Sequence, residues 1–192
     1  MAEQIELPGV VAADVGSPES GAPAAAARGR MRRLEIWLPI VIVVLDQLTK
    51  AMVRANLPLH SSVTLLPGFV DLTHVRNTGA AFGILNAADF PFKNVVIALI
   101  AAAALVLVGV YAASLARHQL AARTGLALII GGAAGNLLDR IVTGSVVDFV
   151  DVYWRTYHFW AFNVADSAIT VGVTIMILDL LVGARTNVSK AL

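Results

Sequence analysis

Residues 146–170 read VVDFVDVYWRTYHFWAFNVADSAIT, and the placement of Asp148, Asp151 and Asp166 within this stretch decides how the chain is arranged. Asp148 and Asp151 lie before an aromatic run, and Asp166 sits where a long apolar segment begins. An ionised carboxylate near hydrocarbon costs several kcal/mol, about 2.5 or more at a helix centre, so such groups are paired, hydrated or functional. Which of these applies depends on where a membrane would lie.

The composition points to a membrane. Of 192 residues, 58% are hydrophobic and only 14% are charged, and mean hydropathy is +0.77. A soluble domain carries about 25% charged residues. The formal net charge of +1 and the absence of a basic run interleaved with aromatics give no support to nucleic-acid binding. There is no cysteine, which excludes disulfides, thiol nucleophiles and cysteine metal sites. His60, His74, His118 and His158 are scattered without a ligand spacing such as H-x-x-x-H, so no metal and no cofactor is expected.

Four segments are long enough to cross a hydrocarbon core of about 30 Å, which takes about 20 helical residues: 34–55, 94–114, 124–142 and 163–184. The predicted fold is mainly α and integral to the membrane, with four transmembrane helices. Arg28, Arg30, Arg32 and Arg33 precede the first span, Arg117 and Arg123 lie between the second and third, and Arg185 and Lys190 follow the fourth. By the positive-inside rule both termini are cytoplasmic, against a minority of basic residues, Arg54, Arg76, Lys93 and Arg155, on the other side. At about 1.5 Å per residue, Asp46 lies about 20 Å beyond Arg33, Asn136 about 20 Å beyond Arg123, and Asp166 about 28 Å from Arg185. Three helices thus bring polar residues to one level, the outer leaflet.

Between the first two spans, SVTLLPGFVDLTHVRNTGAAFG has β-branched and apolar residues around a Pro67-Gly68 turn and a second turn at Asn77-Thr78-Gly79, which reads as a small extracytoplasmic strand pair. Val70, Leu72 and Phe82 would let it lie on the membrane surface. Residues 1–30 are rich in Ala, Pro, Gly, Ser and Glu without apolar period and read as a disordered cytoplasmic tail. Residues 31–185 form the membrane domain and 186–192 a short cytoplasmic tail. RGRMRR followed by LEIWLPIVIVVL resembles a signal peptide, but the apolar run continues to about residue 55 with no small-residue cleavage site.

Each polar constellation has a plain alternative. Gly131 and Gly135 form a small-xxx-small pair suited to helix packing. Asn136, Asp139 and Arg140 share a helix face, and Asp139 with Arg140 reads as a neutralised pair. Asp46 and Lys50 are four apart and suited to pairing. Asn163 and Asp166 lie at a helix start, where a carboxylate is favoured by the dipole, and Asp148 reads as a solvated loop residue unless its loop folds back over the bundle. In that case two carboxylates from different segments face one water, one staying protonated while the other activates it. No G-x-S-x-G, P-loop or serine with an evident base is present. An ion-coupled transporter predicts polar residues at the midplane, and a packing protein predicts tolerance of Asn at both aspartates.

Five motifs in order, DQLTK, VRNTGAAFG, GGAAGNLLDR, GSVVDF and FNVADSAI, resemble those of the lipoprotein signal peptidases, or signal peptidase II, over residues 34–184. The resemblance implies a bacterial inner-membrane aspartic endopeptidase with its site toward the extracytoplasmic leaflet. Its substrates would be prolipoproteins, cut before a cysteine that carries a diacylglyceryl group. By motif position the catalytic pair is Asp148 and Asp166. Asn136, Arg140 and Asn163 shape the site and hold the substrate backbone, Asp46, Lys50 and Asn77 support it, and Asp139 is structural. Membrane lipids and prolipoproteins are the expected partners of a monomer.

Overall fold

The computed structural model describes residues 33–79, 91–116 and 118–191. The expected tail at 1–30, and Phe82 of the outer loop, lie outside the described residues. The element order is α1 (Arg33–Asn56), β1 (Ser62–Leu66), β2 (Val70–Asn77), α2 (Lys93–Ser114), α3 (Leu120–Thr143), β3 (Val146–Trp154), β4 (Tyr157–His158) and α4 (Val164–Ala191).

All four helices are long and apolar enough to cross a membrane. Their apolar side chains are largely exposed, Leu107 of α2 and Leu180 of α4 by 70% and 74%, as expected where lipid rather than water is the solvent. α3 is central and packs on α1, α2 and α4. Its glycines let those backbones approach. A methyl group on Gly131 would meet Pro39 Cα of α1 at 2.9 Å, and one on Gly125 would meet the Gly172 carbonyl of α4 at 2.7 Å. Helix association in lipid depends on this close van der Waals contact, because no hydrophobic effect drives it.

The predicted strand pair is present as β1 and β2, antiparallel, turning at Pro67–Phe69 with Gly68 at φ 84°. It is part of a larger sheet. β3, from the α3–α4 connection that the sequence pattern leaves as loop, pairs antiparallel with β2, placing Val75 opposite Asp148 and Asn77 opposite Val146. The strand order is β1-β2-β3-β4. Val147 and Phe149 bury against Val53 and Leu57 at the C-terminal end of α1, with Leu72 and Val164 packed on them. That apolar contact, made by residues on either side of Asp148, carries the carboxylate over the bundle.

Candidate functional site

The site lies where β2 and β3 meet the C-terminal parts of α1 and α3 and the N-terminal part of α4. α4 starts with a reciprocal cap: the Asp166 amide donates to Asn163 Oδ1 at 2.9 Å, and the Asn163 amide donates to Asp166 Oδ2 at 3.3 Å. This is the capping-box arrangement with Asp in the acidic position. A further first-turn amide, Ala165 N, donates to Asp46 Oδ1 of α1 at 3.0 Å. Asp166 therefore does cap its helix, using one oxygen only. Its Oδ1 accepts from Asn136 Nδ2 of α3 at 2.7 Å.

Asp148 is 3% exposed. Its Oδ1 accepts from Asn163 Nδ2 at 2.7 Å and its Oδ2 from Asn77 Nδ2 of β2 at 3.2 Å. Asn163, fully buried, thus binds both carboxylates, Asp148 through its side chain and Asp166 through its backbone. Burial, and next the neighbouring charge of Asp166, push the Asp148 carboxyl up to about 7, against smaller opposing effects of Asn77, Asn163 and Lys50. This is the pattern of two acids that resist joint ionisation.

The three amides that face the carboxylates have their orientation dictated from the far side. An amide oxygen accepts and its nitrogen donates, so an obligate donor on one side fixes which end lies on the other. Lys50 Nζ donates to Asn136 Oδ1 at 2.9 Å, which turns the Asn136 NH2 toward Asp166. The Asp166 amide occupies Asn163 Oδ1, and the Gly79 amide occupies Asn77 Oδ1 at 3.0 Å. Both NH2 groups then point at Asp148.

Beneath the amides lies a buried ionic cluster. Lys50 and Asp46, both 0% exposed, pair at 2.8 Å, and Lys50 also reaches Asp139 Oδ2 at 2.9 Å. The expected Asp139–Arg140 pair is not the arrangement found, because consecutive helix residues do not face each other. Asp139 pairs with Lys50, lies 3.6 Å from Arg54, and accepts from Val147 N of β3 at 3.4 Å. Arg140 donates to the carbonyls of Asn136 at 3.2 Å and Gly79 at 3.1 Å. Asp151 is half-buried and bonds His158 Nδ1 at 2.8 Å. The pairing with β4 could not be read from spacing.

Sequence reasoning passed over two members of this cluster. Gln47 Nε2 faces Asp46 Oδ2, the Gly135 carbonyl and Asp139 Oδ1 at 3.2, 3.2 and 3.3 Å. Arg54 was counted only as a flanking charge. Their available signal was position, since Gln47 lies next to Asp46, and Lys50 and Arg54 lie four and eight residues beyond it on one helix face. Among the described residues no group of His, Cys, Asp and Glu has the arrangement of a metal site.

Comparison with known proteins shows the family. Residues 38–182 match the family model described as signal peptidase (SPase) II. The chain belongs to the signal peptidase II family. Among similar members of the family is a lipoprotein signal peptidase from Symbiobacterium thermophilum, 46% identical over 155 residues, covering 79% of this chain and 97% of that one. One from Geobacter sulfurreducens is 45% identical over 139 residues, covering 72% and 86%. A bacterial membrane enzyme solved by the in meso method at 2.3 Å resolution superposes with a TM-score of 0.68 at 32% identity, covering 77% of this signal peptidase II chain and 87% of its own.

Proposed function

We propose that Asp148 and Asp166 form the dyad with which this aspartic peptidase removes signal peptides from prolipoproteins, cutting before a cysteine that carries diacylglycerol. The observation that supports this most is that one buried residue, Asn163, holds both carboxylates while oriented amides supply their other described hydrogen bonds. A water between the two acids is activated by the ionised one and attacks the scissile carbonyl carbon. The protonated one gives its proton to the carbonyl oxygen, producing a gem-diol. As this collapses, the proton taken from water passes to the leaving nitrogen and the acid regains its own, so the dyad ends as it began.

Arg140 holds the substrate backbone and Asn136 and Asn163 shape the site by orienting the two carboxylates, with Asn77, Asp46, Lys50 and Asp139 supporting them. Basic flanks place both termini in the cytoplasm, so the site opens toward the extracytoplasmic leaflet, where a lipid-bearing substrate arrives sideways from the bilayer. Residues 31–185 form the working domain, 1–30 and 186–192 are cytoplasmic tails, and the protein acts as a monomer among membrane lipids of the inner membrane.

The test is cleavage of a fluorogenic, diacylglyceryl-modified signal peptide by purified protein in detergent. Wild-type cleavage that disappears in folded Asp148→Asn and Asp166→Asn supports the dyad. Wild-type turnover in either folded variant rules it out.

A further inference from the structure

We infer that the two aspartates have fixed and different roles, with Asp166 the ionised base and Asp148 the protonated acid. The inference rests on the dyad reading and deepens it. Hydrogen-bond number does not separate the two: each accepts one short bond from an amide at 2.7 Å and one longer bond, 3.2 Å at Asp148 and 3.3 Å at Asp166. What stands behind those donors does.

Asp166 is in the first turn of α4, where unsatisfied N–H groups and the helix dipole favour a negative charge. Its short bond comes from Asn136, whose carbonyl end is held by the Lys50 ammonium. A cation on the carbonyl polarises the amide and strengthens its N–H as a donor, so the Lys50 charge reaches Asp166 through a single side chain. The Arg140 guanidinium, held by the Asn136 and Gly79 carbonyls at 3.2 and 3.1 Å, is a charge shared by both aspartates and does not separate them. Asp46 of α1 is the carboxylate opposing charge on Asp166, and its own charge is met by Lys50 at 2.8 Å.

Asp148 has neither the helix end nor an amide donor backed by a cation. It lies in a strand rather than at a helix end, between Val147 and Phe149, 1% and 7% exposed. Its two donors are neutral amides held from behind by backbone N–H groups, Asp166 N and Gly79 N, rather than by a cation. Burial against apolar neighbours without a cation favours the uncharged acid. The same asymmetry aims the Asp148 proton at the carbonyl oxygen and the Asp166 oxygen at the water, so the nucleophile approaches from the α4 side.

Asn77 separates the two assignments because it touches Asp148 and not Asp166 among the described hydrogen bonds. In a bell-shaped profile of kcat/KM the rising limb reports the base and the falling limb the acid. Asn77→Ala removes a donor that favours ionised Asp148, so the carboxyl rises further. The expected result is a falling limb moved up by about half to one pH unit, with the rising limb in place. A rising limb that moves instead, or no movement of either limb, overturns the assignment while leaving the dyad itself to the Asp→Asn test. If Asn77→Ala does not fold, carboxyl carbon resonances of wild-type protein, assigned by their loss in the Asp→Asn variants, decide the matter. The higher of the two coupled titrations is expected at Asp148, and its appearance at Asp166 refutes the roles.

Discussion

Asp46 and Asp139 meet Lys50 at 2.8 and 2.9 Å, with Arg54 3.6 Å from Asp139, whereas the described hydrogen bonds to the Asp148 and Asp166 side-chain oxygens come from amides. The four carboxylates lie at one end of one bundle, separated by the thickness of an Asn136 side chain. The lower pair is neutralised by cations and works as a framework. The upper pair is solvated by oriented dipoles that stabilise charge without cancelling it. Two close carboxylates held only by dipoles share a proton readily.

The largest effect that would break this comparison is on turnover. Asp148→Asn and Asp166→Asn are expected to lower kcat by at least about 10³-fold, in line with the loss of a positioned acid or base, while the protein still folds. An Asp→Asn change in the upper pair that chiefly unfolded the protein would show that both pairs are framework. Lys50→Met leaves Asp46 and Asp139 buried without their shared cation. It is expected to destabilise the fold by about 3–5 kcal/mol, as removal of one partner from a buried pair does, and to lower activity through Asn136. Denaturant titration in detergent, alongside the cleavage assay, measures both.

A separate ion pair sharpens the point. At the opposite end of α1, Glu35 is bound by the Arg123 guanidinium of α3, which also donates to the Leu115 carbonyl at 2.9 Å. This pair joins α1, α3 and the end of α2 but touches none of the amides above. Glu35→Gln is expected to cost about 3 kcal/mol of stability with kcat unchanged in the protein that remains folded. A fall in kcat comparable to that of Lys50→Met would erase the distinction between the two ends.

The smallest effect is a pH slope. The ordinary value for an aspartate is 3.8, and Asp148 in the folded protein is raised to about 7. Between those values the folded state holds a proton that the unfolded chain has released. This group's contribution to stability therefore falls as pH rises through the window, and it levels off above about pH 7. The slope is at most about 1.4 kcal/mol per pH unit. Melting curves of wild type against Asp148→Asn are expected to converge or cross in this direction, and a difference that grew in favour of wild type with rising pH would contradict the burial argument.

Much of the fold was legible because its physics is one-dimensional. A run of about 20 apolar residues spans hydrocarbon whatever its neighbours do, and the Pro67-Gly68 turn marks β1 and β2 locally. Depth was legible too, since 1.5 Å per residue places Asp46, Asn136 and Asp166 at one level without knowledge of packing. The sheet was only half readable. β3 pairs with a strand about 75 residues earlier in the chain, and its burial pattern, VVDF with every side chain inside, lacks the alternation that marks a surface strand. Asp139 shows the same limit, because sequence adjacency suggested Arg140 as its partner, whereas helix geometry turned the two apart.

By itself the sequence determined that the chain has four membrane-spanning helices, that its polar residues gather at one end of the bundle, and, through five ordered motifs, which family it belongs to. Only the tertiary structure decided that Asp148 lies in a strand folded over the bundle, that Asn163 holds both acids, and that Lys50 reaches Asp166 through Asn136. Span and depth follow from helix rise and side-chain transfer energies, which are local. Which end of an amide faces a carboxylate depends on donors contributed by α1, α3, α4 and β2 together, and that becomes defined only once those elements have packed.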